Sequence, residues 1–233
     1  MRIEKLTWDS EFFSLNIAEA IFSNFSKSYY IKFIETLKKR KYNLVYIYPQ
    51  NIKSYELLLK NKIPLVDKKI SFQKDVKTSN ITLIKNIQSY KLDKDYPKLL
   101  ELAYVSGAYS RFRLDKNFEK NSFELLYKTW LDNSINKKIA DDVLVWYNEK
   151  NEILGFITYK ILNSILKIGL IAVDKNARGY GVGKVLMRHT EYIAFNNKLS
   201  KIEVNTQENN QGACAFYKNI EYKIKTIQPI FHL

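Results

Sequence analysis

Cysteine occurs once in these 233 residues, histidine twice, proline four times and glycine seven times. A lone Cys214 excludes an internal disulfide, and two histidines with one cysteine give no ligand set for zinc, so no metal is expected. No apolar run reaches membrane-spanning length, and the opening Met1–Trp8 lacks the apolar core of a secretory signal. The expected location is therefore the cytoplasm, without membrane insertion. Also missing are a zinc-finger spacing, a basic-region heptad and the basic-aromatic signature of RNA readers, so the net charge of +14 does not point to nucleic acid. Much of that excess is lysine travelling with Asn, Ile and Tyr, the mark of AT-rich codons, and the remainder suits anionic ligands. Lys38-Lys39-Arg40-Lys41 ends an amphipathic helix, where cations favour the dipole.

With 46% apolar residues the chain can bury one substantial core or two modest ones. Hydrophobic periodicity divides it into residues 1–76, read as a small α/β domain, and residues 81–233, with a polar linker over Asp75–Asn80. The first part holds a strand at Ile17–Phe22, a helix at Tyr29–Arg40, a strand at Leu44–Tyr48, a helix at Ile52–Asn61 and a strand ending near Phe72. The second opens with a strand from Ile81 and continues with helices at Tyr96–Val105 and Ser122–Ser134. Strands follow at Asp142–Tyr147, Ile153–Ile161 and Leu166–Val173, then a helix at Lys184–Phe195, a strand at Ile202–Thr206, a helix at Asn210–Asn219 and a closing strand pair within Tyr222–His232.

Three of the seven glycines stand within five residues, at 179, 181 and 183, in Arg178-Gly179-Tyr180-Gly181-Val182-Gly183-Lys184. The stretch lies between an apolar strand and a helix, so its unobstructed backbone amides meet the positive end of the helix dipole, a cradle for diphosphate. No GxxxxGK[ST] and no GxGxxG after a strand is present, which excludes the commoner nucleotide loops. The pattern R-x-x-G-x-G resembles the acetyl-CoA pyrophosphate loop of the GNAT N-acetyltransferase superfamily. About thirty residues later Asn210, Ala213, Phe216 and Tyr217 fit the N-x-x-A-x-x-F-Y helix of that family, with Glu221 standing where a glycine usually precedes the aromatic. The resemblance covers about the C-terminal two-thirds and implies a mixed, mostly antiparallel sheet flanked by helices.

It also implies acetyl-CoA as co-substrate, bound by the backbone of Ile171, Ala172 and Val173 on a strand that splays from its neighbour, and by Arg178 through Lys184. Asn210 and Tyr217 belong to the same site. Tyr217 is the candidate general acid for the departing thiolate, with aromatic packing as the alternative. Asn210 either orients that end of the site or caps its helix. Cys214 reads as a small buried filler, with a thiol nucleophile as the minor reading, and His189 as a core or surface residue. The acceptor's base is unassigned, Glu101 being one option.

Leu6–Phe13 and Gly107–Phe112 are similar to segments of the TDP-fucosamine acetyltransferases, two-domain members of the superfamily that acetylate a dTDP-linked 4-amino-4,6-dideoxy sugar. That likeness implies an amino-sugar acceptor serving surface polysaccharide synthesis. Arg111 would grip a phosphate, Ser110 would stand beside it, and Phe12, Phe13, Tyr109 or Phe112 would stack a ring. Aromatics packed in the core are the alternative. Other acceptors, a small amine or a protein amine, and a CoA-binding domain without turnover stay open, as does a homodimer.

Overall fold

The computed structural model describes residues 2–22, 26–76, 86–92 and 95–233. In chain order these form β1 (Arg2–Lys5), α1 (Thr7–Phe13), β2 (Ile17–Phe22), α2 (Lys27–Arg40), β3 (Leu44–Pro49), α3 (Ile52–Lys60) and β4 (Leu65–Asp75). There follow β5 (Ile87–Ser89), α4 (Tyr96–Ser106), α5 (Arg111–Leu114), α6 (Ser122–Ile135), β6 (Asp142–Tyr147), β7 (Ile153–Leu162) and β8 (Ile165–Val173). The chain ends with α7 (Val182–Asn196), β9 (Lys201–Gln207), α8 (Gln211–Asn219) and β10 (Lys223–His232). The strand expected to begin at Ile81 and most of the Asp75–Asn80 linker lie outside the described residues. Among the described residues no helix is long and apolar enough to cross a membrane.

All ten strands join one mixed sheet in the order β1-β2-β3-β10-β4-β9-β8-β7-β6-β5. Two neighbouring pairs, β2 with β3 and β8 with β9, run parallel, and the other pairs are antiparallel. The first 76 residues thus share a sheet with the rest. β4 lies between β9 and β10, with Phe72 opposite both Val204 and Ile224. The expected closing strand pair is a single strand. Lys223–His232 contains no Gly, Asn or Asp on which a hairpin could turn.

Helices cover both faces. Leu186, Met187 and Ala194 of α7 and Cys214 and Tyr217 of α8 pack with Ile70, Phe72, Ile157, Leu166, Ile168 and Val204. On the opposite face, Leu99 and Leu102 of α4 and Leu126 and Leu131 of α6 pack with Phe13, Tyr46, Phe112, Phe118, Phe156, Leu170 and Ala172. Alternation along β8 therefore changes hands. Leu166 and Ile168 face α7, whereas Leu170 and Ala172 face α4 and α6. A period-2 strand does this only where a residue is inserted.

Candidate active site

That insertion is a β-bulge. Tyr159 pairs with Ile168 and Ile157 with Ile171, so Gly169 and Leu170 stand opposite Thr158 alone. The amide of Leu170 donates to Thr158 Oγ1 at 2.8 Å in place of a backbone carbonyl. Gly169 leaves the room, since a Cβ there would lie 2.7 Å from the same oxygen. Bulges bend and twist a strand. Here the parallel pairing of β8 with β9 runs from Ile165–Lys201 to Ile168–Val204 and goes no further, although both strands continue.

The parted stretch has a defined chemistry. Asp174 N–H donates to Leu154 O at 2.8 Å, which fixes the phase of the β7–β8 ladder. Antiparallel alternation then turns the backbone of Ala172 toward Phe156 and that of Ile171 and Val173 away from β7, toward the gap. Of the three strand residues expected to hold a pantetheine arm, Ile171 and Val173 turn their backbone groups away from β7 and Ala172 does not.

At the open end of β8 a single 3-10 turn, Lys175–Ala177, leads into the glycine stretch. Gly179 and Gly181 adopt φ of 86° and 83°, the left-handed region, with open space where a Cβ would lie. Gly181 is the N-cap of α7, without a side-chain cap, and the first bond of the helix runs from Val185 N–H to Gly181 O at 3.0 Å. The amides of Val182, Gly183 and Lys184 thus have no intrahelical acceptor and sit at the positive end of a 15-residue helix. Tyr180 projects into solvent at 84% exposure. Arg178 Nε donates to Val173 O at 3.3 Å, laying the guanidinium along the end of β8. Asp174 is held below the usual carboxylate range by Lys98, which it meets at 2.6 Å, and by the amide of Asn176. This ion pair pins α4 beside the cradle.

α8 closes the other wall. Phe216 reaches the cradle helix, its ring 3.3 Å from where a Cβ on Gly183 would stand. Asn210 Oδ1 accepts the amide of Ala213 at 3.1 Å, so its side chain caps α8. Tyr217 is 3% exposed, its ring 5.3 Å from that of Phe72. Burial raises its phenol well above the ordinary value, keeping it protonated. Cys214 is buried and burial raises its thiol pKa, which disfavours the thiolate. His189 is buried on α7, its ring 6.2 Å from that of Tyr192, and Glu101 is an exposed residue engaged by Lys98. Among the described residues no group of His, Cys, Asp and Glu could hold a metal ion.

The expected acceptor residues lie together on the α4–α6 face, with unequal freedom. Phe13 and Phe112 are core residues, stacked at 5.6 Å, and Ser110 is buried with its hydroxyl capping the short α5 through Phe112 N–H. Phe12 stacks on Trp8 at 4.9 Å and Tyr109 is 45% exposed. Arg111 lies over the rings of Tyr46 at 5.0 Å and Phe112 at 4.4 Å, its buried Nε without a hydrogen-bond partner. Asp9 and Asp67 share its field; burial raises both carboxyls, that of Asp67 to about 6. His232 bonds Asp115 nearby.

A cradle at a helix start, a strand parted from its neighbour beyond a bulge and an Asn-capped helix bearing a buried tyrosine follow one another along β8, α7, β9 and α8. Residues 108–222 match the Acetyltransferase (GNAT) family. They form a GNAT acetyltransferase domain. The peptidyl-lysine N-acetyltransferase YjaB of Escherichia coli is 29% identical over 99 residues, 42% of this chain and 61% of that protein. The dTDP-fucosamine acetyltransferase of Escherichia coli O6:H1 is 27% identical over 126 residues, 54% of this chain and 53% of that protein. The chain thus spans about half to three-fifths of the length of these curated relatives. A GCN5-related N-acetyltransferase from Sphaerobacter thermophilus shares the fold of 93% of this chain and 72% of its own, with a TM-score of 0.63 at 12% identity. In this GNAT domain, Thr158 and Gly169 are the site residues that sequence reasoning missed. The available signal was the isolated glycine inside an apolar strand, which often marks a bulge.

Proposed function

We propose that the protein is an acetyl-CoA-dependent N-acetyltransferase whose acceptor is the amine of a nucleotide-linked amino-deoxy sugar. The observation that carries the transferase reading is the parting of β8 from β9 after Ile168 and Val204, with the glycine cradle at the end of the freed strand. Acetyl-CoA lies with its diphosphate on the amides of Gly179–Lys184 beside Arg178 and its arm along Ile171 and Val173. Thioester aminolysis then needs a neutral amine, a held carbonyl and a proton for the departing thiolate. Tyr217 supplies that proton from a phenol that burial keeps protonated. Asn210 acts by fixing the start of α8 and hence the place of Tyr217.

The acceptor approaches from the α4–α6 face, to which residues 1–76 contribute Tyr46 and Phe13. Support for a nucleotide sugar comes from the net charge of +14 and the Arg111 segment, together with the likeness to the dTDP-fucosamine acetyltransferase. The likeness to a peptidyl-lysine N-acetyltransferase favours a second reading, a protein lysine. Release of CoA from acetyl-CoA, followed with a dTDP-linked 4-amino-4,6-dideoxyhexose, the free amino sugar and a lysine peptide, decides between them. The nucleotide sugar is expected to react fastest. Equal or faster turnover of the peptide rejects the sugar, and no acetyl-CoA binding rejects the transferase.

A further inference from the structure

A cavity of about 360 Å³ opens on the α6 side of the β7–β8 hairpin, lined by Trp130 and Ser134 of α6, Thr158, Lys160, Lys167 and Gly169 of the hairpin, and Asn205 of β9. It adjoins both the bulge and the point where β9 departs. Lys160 and Lys167 are direct cross-strand partners, so their side chains rise from the same face. Like charges opposed in this way repel. Neither makes an ion pair among the described residues. Glu203, in register with Lys167, is engaged by Lys225, and Asp141 Oδ2 accepts the amide of Ile161. Asn205 receives the hydroxyl of Ser71 on Oδ1 at 2.6 Å, which leaves its NH2 as a donor. Trp130 gives the cavity an aromatic wall, held by edge contacts with Tyr127 at 5.0 Å and Phe112 at 6.0 Å.

We infer that this cavity is the subsite for the acceptor's anionic part, with Lys160 and Lys167 on its phosphates and Trp130 against its ring, and that the class it takes is a nucleoside diphosphate. The inference rests on the transferase reading above and moves the phosphate contact from Arg111 to the lysine pair. Arg111 is stacked on two rings and stands in the field of Asp9 and Asp67, so its charge is already opposed. The lysines have no such compensation, and a bound diphosphate removes their mutual repulsion.

The test titrates dTDP and, separately, pyrophosphate into protein saturated with CoA, so that the glycine cradle is filled. Wild type is expected to bind dTDP, Lys160→Gln with Lys167→Gln to weaken it at least tenfold, and Lys160→Arg with Lys167→Arg to retain it. Trp130→Leu should weaken dTDP and spare pyrophosphate. Acetyl-CoA affinity should change less than twofold in both double variants, and thermal melts report their folding. Wild type that binds acetyl-CoA but not dTDP, or a Gln double variant that binds dTDP as well as wild type, overturns this subsite alone. Failure of wild type to bind acetyl-CoA overturns the transferase reading instead.

Discussion

Thr158 Oγ1 accepts the amide of Leu170 across the β7–β8 ladder, standing in for the backbone carbonyl that the bulge displaces. One hydroxyl thus stabilises the distortion that frees β8 from β9. Thr158→Val keeps the shape and removes the acceptor, leaving a buried N–H unpaired. A loss of about 1–3 kcal/mol in denaturant titration is expected, with weaker acetyl-CoA binding by calorimetry. A variant as stable as wild type would show that the bulge does not depend on this bond.

Gly181 holds φ of 83° in open space, so a side chain there meets conformational strain and not a wall. Gly181→Val should cost about 1–3 kcal/mol of stability and weaken acetyl-CoA at least tenfold by crowding the amides of the cradle. Unchanged affinity in a folded variant removes the cradle from the cofactor site.

Tyr217→Phe preserves the ring packed near Phe72 and deletes only the hydroxyl. Turnover is expected to fall about 100- to 10,000-fold, with acetyl-CoA affinity within a few-fold of wild type. Because burial raises this phenol, its titration should produce no alkaline loss of activity below its ordinary value of about 10. Full turnover under conditions where chemistry limits the rate would leave Tyr217 as packing.

Asp67 carries a pH signature. Burial raises its folded pKa to about 6, above the unfolded value of about 3.9, so the folded state binds the extra proton between those limits. Its contribution to stability is greatest below pH 4 and declines as pH rises to about 6. Asp67→Asn should therefore raise the melting temperature more at pH 7.5 than at pH 4, by the equivalent of on the order of 1–2 kcal/mol. Equal shifts at both pH values would place the ionised carboxylate in no net conflict with its surroundings.

The cradle was legible because its glycines are adjacent in sequence and local geometry fixes their use. The α8 motif was legible for the same reason, with Asn210 capping its own helix. What escaped reading was non-local. The place of β4 between β9 and β10 depends on pairings far apart in the chain, such as Ser71 with Asn205. α1 and α5 are short helices of seven and four residues, below the length at which periodicity speaks. The Lys160–Lys167 pair was within reach, since a two-residue turn at Asn163-Ser164, both at positive φ, fixes the register of the hairpin.

The sheet order also dictates when the protein can become itself. On the ribosome β4 emerges with neither neighbour yet made, and waits for β9 and then β10, through about 150 further residues. At synthesis rates of about 5–20 residues per second, that interval lasts roughly 8–30 seconds. Two open edges of an eleven-residue strand are exposed meanwhile, one closing only on a segment that also carries the pairing with β3. Lysines at 68, 69 and 74 punctuate that strand, the charge pattern by which waiting edges avoid one another.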